Sequence, residues 1–259
     1  MEYAATVFFY VLIILLSMLL GVAGVALTPR LIPVQRRKPH NSAISTLYGG
    51  LYVLYGVIVG FTAFVVLNKY NASRVTVQHE AADVAMIYHL AQSFPESKRD
   101  QIQGLAESYA RVVVGEEWPQ MRQGQTSPRA QALAYDLRSA IQGFKPTTTT
   151  EQVIYAQELD AVNDLDTDRV TRLLDVGRGL PPILWIALGG LSINMLLFAC
   201  LIGVEDTQLH MLGVSALAAG IALVLCTIFV LDRPFGTEFR VGPQPFELVL
   251  HEIEGTGQQ

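Results

Sequence analysis

Three aspartates at alternate positions, Asp164, Asp166 and Asp168, with Asp175 at the twelfth place, match the D-x-D-x-D opening of a calcium loop, where such carboxylates converge on a hard cation. Arg169 stands where that loop needs Gly for its turn, and apolar residues continue at helical spacing through the segment. The acids therefore read as a solvated helix face. His79, Glu80 and Asp83 are a second candidate, because His79 and Asp83 share a helix face at i,i+4. A metal site needs a third and fourth ligand. None stands nearby and His89 lies on a different turn, so an ordinary polar helix face is expected and no metal. No G-x-S-x-G, phosphate-cradling glycine loop or H-E-x-x-H occurs, and neither Cys200 nor Cys226 has a histidine partner. No catalytic residue and no cofactor is expected, and the chain does not read as an enzyme.

The elements that would carry these residues are set by hydropathy. The 259 residues are 51% hydrophobic and 16% charged, with a mean hydropathy of +0.35, which places the chain in the membrane class. Charge is almost absent from four windows, Tyr3 to Leu27, Thr46 to Leu67, Ile183 to Val204 and Leu209 to Leu231. Each is long enough to cross about 30 Å of hydrocarbon as a helix. The first window lacks a basic n-region and exceeds a cleavable h-region, so it is expected to be a retained span. Both cysteines fall inside windows and behave there as small apolar residues. A net charge of −5 and the lack of a basic patch interleaved with aromatics exclude a nucleic-acid binder.

Between the second and third windows lies a polar stretch from Lys69 to Arg178, large enough to bury a helical core of its own. Pro95, Gly115, the Pro119 neighbourhood, Gly124 to Pro128 and Gly143 to Pro146 divide it into helices near Glu96–Val114, Pro128–Gln142 and Thr150–Val176. In the last of these Val153, Ile154, Ala156, Leu159, Val162, Leu165, Val170, Leu173 and Leu174 form an amphipathic stripe. The loop after the first span carries Pro29, Pro33 and Pro39 among Arg30, Arg36, Arg37 and Lys38, and is expected to be extended. The loop between spans three and four has Glu205 and Asp206 and no cation. Lys69, Arg74, Arg169, Arg172, Arg178, Arg233 and Arg240 lie near span ends on the opposite face. The positive-inside rule is divided between the two faces. The larger count assigns the inserted domain and both termini to the cytoplasm.

The chain is organised around the stretch from Ser45 to Leu90. No Gly or Pro falls between Phe61 and Phe94, so one helix is expected to leave the lipid and enter water unbroken. Val57, Phe61, Phe64, Val65 and Asn68 follow i, i+3, i+4 spacing along one face of it, a stripe that fits a lipid-facing, a core-facing or a pore-facing surface. Gly49-Gly50, Gly56 and Gly60 in this span and Gly189-Gly190 in the third would allow close helix packing. No Asp, Glu, Lys or Arg lies inside any window, which counts against coupled transport. Span two offers Thr62 and then Asn68 at its exit, and span three Ser192 and Asn194.

Two local stretches resemble bestrophins. Gly60 to Ala82 is similar to the end of their second helix, an apolar neck that passes an Asn/Ser/Tyr-rich turn and continues into a Glu-Ala pair; Asn68, Tyr70, Asn71, Ser73, Arg74, Glu80 and Ala81 are the matching types. Leu231-Asp232-Arg233-Pro234-Phe235-Gly236, followed by Val241-Gly242-Pro243, is similar to the Asn-Pro-Phe-Gly turn after their last membrane helix. Gln78-His79 replaces a tryptophan pair, Arg233 stands where Asn is usual, and no acidic run follows Gly236, so no calcium clasp is expected. The resemblance is closest to the bacterial membrane proteins grouped as a bestrophin-like domain family. It implies an all-α integral membrane protein with transmembrane helices in 1–68 and 181–232, an inserted helical hydrophilic domain in 69–180 and a tail in 233–259. It further implies a multi-pass protein of the cell membrane whose partners are lipid and copies of itself, a pentamer passing ions whose sign it leaves open. Val57, Phe61, Phe64 and Val65 would form a hydrophobic neck, Asn68 and Asn71 its mouth, and Asp232, Arg233, Pro234, Phe235 and Gly236 the post-membrane turn. The rival is a non-conducting scaffold or sensor whose soluble helices bind a protein partner.

Overall fold

The computed structural model describes residues 2–236 and 241–256; Arg240, counted above among the near-membrane cations, lies outside them. The longer helices are α1 (Glu2–Leu31), α2 (Asn41–Leu90), α3 (Glu96–Val112), α4 (Pro128–Gln142), α5 (Thr149–Val176), α6 (Pro182–Leu201), α7 (Thr207–Asp232) and α8 (Gln244–Thr256). No strand occurs among the described residues. The chain divides into two units, Met1–Asn68 with Leu180–Asp232, and Lys69–Gly179 with Arg233–Gln259.

The first unit holds the apolar helices α1, α6, α7 and the first half of α2, all long and apolar enough to cross a bilayer. α1 lies along α7, and the approach is close because Gly21 has no side chain: a Cβ there would sit 3.2 Å from Val214 O. The glycines expected to mediate such packing, Gly49, Gly50, Gly56, Gly60, Gly189 and Gly190, instead face open space within the chain. The expected extended loop after α1 is helical, a turn at Val34–Arg37 followed by a 3₁₀ turn at Lys38–His40. Pro33 and Pro39 fall at helix starts, where the missing N–H costs nothing. Arg37 is buried and donates to Ile32 O, Cys200 O (2.9 Å) and Ile202 O, so a cation neutralises the carbonyl end of α6. It is therefore a structural charge and not a free loop cation. Asn41 closes the same corner through the backbone of Gly203, where a Cβ would lie 2.8 Å from Lys38 N.

The second unit has its own apolar core, with Val77, Val84 and Ile87 of α2 packed among Ile102, Leu137, Val162 and Leu165. Thr148, and not Thr150, starts α5: its hydroxyl accepts from Glu151 N, and the Glu151 carboxylate accepts from Thr147 N and Thr148 N, a capping box. Gly115 and Pro119 were expected to break the chain. The helix instead continues through a π-turn at Val113–Glu117 and a further turn at Trp118–Met121. The stripe on α5 is split, since Val162 and Leu165 are buried while Val153, Val170 and Leu174 are exposed. Phe235, Val241, Phe246, Val249 and Ile253 of the tail enter the same core, the last three from α8. Phe246 and Phe235 meet Trp118 edge to face at 6.0 and 6.1 Å.

Glu158 on α5 is fully buried, and neither carboxylate oxygen has a hydrogen-bond partner. Burial pushes its carboxyl from the ordinary 4.5 up to about 8. The unfolded chain sheds this proton above about 4.5 while the native chain keeps it, so the contribution to stability is full below 4.5, falls as pH rises and levels off above 8. In Glu158→Gln the melting temperature of the full chain, measured in detergent, should exceed the parent's by several degrees at pH 8 and match it at pH 4.5; a gap that does not close on acidification would refute the assignment.

Candidate pore helix

α2 runs unbroken for 50 residues and, at 100° per residue, presents two opposed faces. Tyr55, Thr62, Val66, Ser73, Val77, Glu80, Val84 and Ile87 recur at close to heptad spacing and are buried. On the opposite side Val57, Phe61 (69% exposed), Phe64 (60%), Asn68 and Asn71 are exposed, and Val65 lies on the flank. Five of the six residues expected at a neck and its mouth thus lie on the exposed side. The exposed line continues through Val75 and Met86. Thr62 is not on it; buried, its hydroxyl donates back to Ile58 O at 2.8 Å.

The buried face is held by polar contacts in each unit. In the membrane unit the Tyr55 hydroxyl meets Ser192 Oγ of α6 at 2.9 Å, and Ser192 donates to Leu188 O. In the soluble unit Ser73 donates to Asp175 of α5 at 2.8 Å. Glu80, expected on an open polar face, is 0% exposed. It accepts from Arg172 Nε at 2.6 Å and Nη2 at 2.9 Å, and from the Tyr109 hydroxyl at 2.5 Å. Arg172 also donates to Glu117, which takes a second, bidentate pair of bonds from Arg169 at 2.7 Å each. Two carboxylates and two guanidiniums therefore balance inside the core, with Arg172 over the Trp118 ring and Arg169 over Tyr109. Burial alone would raise the Glu117 carboxyl, but the two guanidiniums outweigh it and hold it below its ordinary range. Burial, then the Glu80 charge, lifts the Tyr109 hydroxyl well above its usual value, keeping it a neutral donor.

The π-turn supplies Glu117. One extra residue in the turn swings that side chain inward from α3, and Glu116 instead reaches Ser127. The acids of the D-x-D-x-D run do not converge. Asp164 is exposed, Asp166 pairs with Arg138 and Asp168 lies 3.8 Å from His79. Among the described residues no three His, Cys, Asp or Glu side chains gather as a metal group. The turn after α7 divides between the units. Asp232 is buried and accepts from Leu180 N at 2.7 Å, while Pro234 O accepts from Val241 N, Gly236 N bonds back to Arg233 O, and Phe235 fills the soluble core.

An all-helical chain with several membrane-spanning helices, a separate helical core and one long helix contributing to both defines a polytopic membrane protein built around that helix. The chain belongs to the family of the Bestrophin-like domain, whose profile matches residues 15–246. Its fold is that of a bacterial bestrophin homologue from Klebsiella pneumoniae. One variant of that protein superposes with a TM-score of 0.68 at 12% identity, over 95% of this chain and 99% of that one. A zinc-phased structure of the homologue gives 0.64 at 13%, over 93% and 98%. A further membrane-protein variant gives 0.67 at 11%, over 95% and 99%. No curated protein matches the chain in sequence.

Removing one partner of a buried ion network strands the others, at about 3–5 kcal/mol. Glu80→Ala should destabilise the soluble unit by that amount, read as a shift in the denaturation midpoint followed by Trp118 fluorescence, since Trp118 stacks on Arg172. A midpoint within about 0.5 kcal/mol of the parent's would show that the network does not hold α2.

Proposed function

We propose that the chain is an ion channel of the cell membrane, assembled as a pentamer with α2 from each copy around a central axis. The observation that carries this reading is the exposed stripe Val57, Phe61, Phe64, Asn68 and Asn71 on a helix whose opposite face is buried along its length. Family and fold, both those of known ion channels, support it. In this reading Val57, Phe61, Phe64 and Val65 form an apolar constriction that gates by dewetting, and Asn68 and Asn71 replace part of an ion's hydration at its mouth. Conduction is passive, because the spans hold no Asp, Glu, Lys or Arg inside the four apolar windows. The Asp232 to Gly236 turn closes α7 on one side and seeds the soluble core on the other.

The soluble unit is assigned to the cytoplasm. Arg169 and Arg172 pair with buried carboxylates and drop out of the charge count. The cations near span ends then number four on each face, Lys69, Arg74, Arg178 and Arg233 against Arg30, Arg36, Arg37 and Lys38, and the assignment rests on the second face being offset by Glu205, which pairs with Lys38, and Asp206.

The test is ion flux from liposomes holding the parent or the double variant Phe61→Ala, Phe64→Ala, with subunit number measured in detergent. A pentamer whose flux rises several-fold on removal of the rings is expected. Equal flux would remove the neck, and a stable monomer would remove the channel.

A further inference from the structure

Two polar side chains of the membrane unit are exposed and have no hydrogen-bond partner among the described residues, the Asn194 amide of α6 and the Tyr52 hydroxyl of α2. Asn194 lies about 18 Å along α6 from Pro182. In a hydrocarbon core about 30 Å thick its short side chain reaches neither surface. An amide held there without a partner has given up water and gained nothing, so it marks a contact between helices. We infer that Asn194 hydrogen-bonds the partner subunit's Tyr52 in the ring around α2. The inference rests on the ring assembly proposed above and names the polar contact that joins its copies within the membrane.

Depth matches the two groups. α2 leaves the membrane unit after Asn68 and α6 enters it at Leu180, so the two helices run in opposite directions. Their register is fixed by the Tyr55 hydroxyl, which meets Ser192 Oγ at 2.9 Å. Three residues back along α2 and three forward along α6 keep that level. Tyr52 is therefore level with Met195 and about 1.5 Å from the depth of Asn194. A rotation about the membrane normal carries one copy onto the next without changing depth, so the match holds between copies.

Direction separates the groups within one chain and joins them between chains. At 100° per residue Asn194 stands about 100° round α6 from Met195, which packs against Tyr55, and so turns away from its own α2. Tyr52 stands about 60° round α2 from Tyr55 and about 140° from Val57. With Val57 turned to the axis, the right-handed turn of these antiparallel helices sends Tyr52 toward one neighbour and Asn194 toward the other. Each copy thus offers a hydroxyl on one flank and an amide on the opposite flank, the head-to-tail arrangement that closes a ring. Either group can donate or accept, so the pair is satisfied in both senses. Gly49 and Gly56 border Tyr52 on α2, and Gly190 lies one turn from Asn194. A Cβ at any of the three would meet nothing within 4 Å, which leaves room for a second backbone to approach.

The test is a double-mutant cycle on the full chain in detergent: parent, Tyr52→Phe, Asn194→Leu and the double variant, each read as the concentration at which the oligomer half dissociates. Each single variant is expected to raise that concentration about threefold or more, as loss of an interhelical hydrogen bond in a membrane protein does, and the double variant no further than the larger single. Additive effects, or no effect in either single variant, would overturn the contact while leaving the oligomer in place. A parent that is monomeric at every concentration would remove the ring reading along with it. A second measurement does not depend on stability. A photoreactive benzophenone side chain placed at position 52 should, on irradiation in vesicles, give a dimer-sized band whose crosslinked peptide contains Asn194. Crosslinks to lipid alone, or to the same chain, would overturn the inference.

Discussion

The soluble core depends on four charges buried together. Removing Glu80, Glu117, Arg169 and Arg172 from water costs several kcal/mol each, and their attraction compensates only where every carboxylate oxygen and nearly every guanidinium nitrogen is matched. Here the matching comes from α2, the π-turn and α5, with Tyr109 of α3 completing the Glu80 oxygens. Each element must therefore be formed before the charges can be buried. The π-turn is the least expected part, and its extra residue is what brings Glu117 between the two arginines.

α2 carries this constraint and a second one. A helix of 50 residues buried on one side exposes the other, and the exposed side is apolar through Phe61 and Phe64 and amide-lined at Asn68 and Asn71. An apolar stripe inside a bilayer needs no partner, since lipid is as apolar as phenylalanine. Its extension to Val75 and Met86, among the residues of the soluble unit, does lie on a surface that water would cover in a lone chain. Together with exposed Val153, Val170 and Leu174 these residues make the soluble unit more apolar outside than a monomer needs to be.

Sequence patterns exposed what depends on local spacing. The four apolar windows, the unbroken α2 and the α4 boundaries follow from composition and from where Gly and Pro fall. The stripe on α2 was legible as a stripe, though its periodicity alone fits lipid, core or pore. What stayed hidden depends on residues far apart in the chain. Glu80 looks like part of a His-Glu-x-x-Asp polar face because its partner Arg172 is 92 positions away. Arg169 and Arg172 look like membrane-flanking cations for the same reason. The helical corner after α1 was hidden by its prolines, which break helices in the middle and start them at the end. α8 did have a signal, Phe246, Val249, Leu250 and Ile253 at i, i+3, i+4 and i+7, but it is a short segment outside the polar stretch.

The ion network also explains why an apolar core alone would serve this helix poorly. The buried face of α2 repeats small and branched residues, Val77, Ala81, Val84 and Ile87, at close to heptad spacing. A slide of one or two turns would put similar shapes into similar gaps, so packing discriminates weakly between registers. Glu80 allows only one. Shifted by a turn, it would leave Arg172 and Tyr109 without their acceptor in a place water does not reach, at a cost larger than a typical core substitution. Ser73 on Asp175 adds a second fixed point seven residues earlier on the same face. The buried charges, costly as contributors to net stability, thus set the register of a long helix within its core.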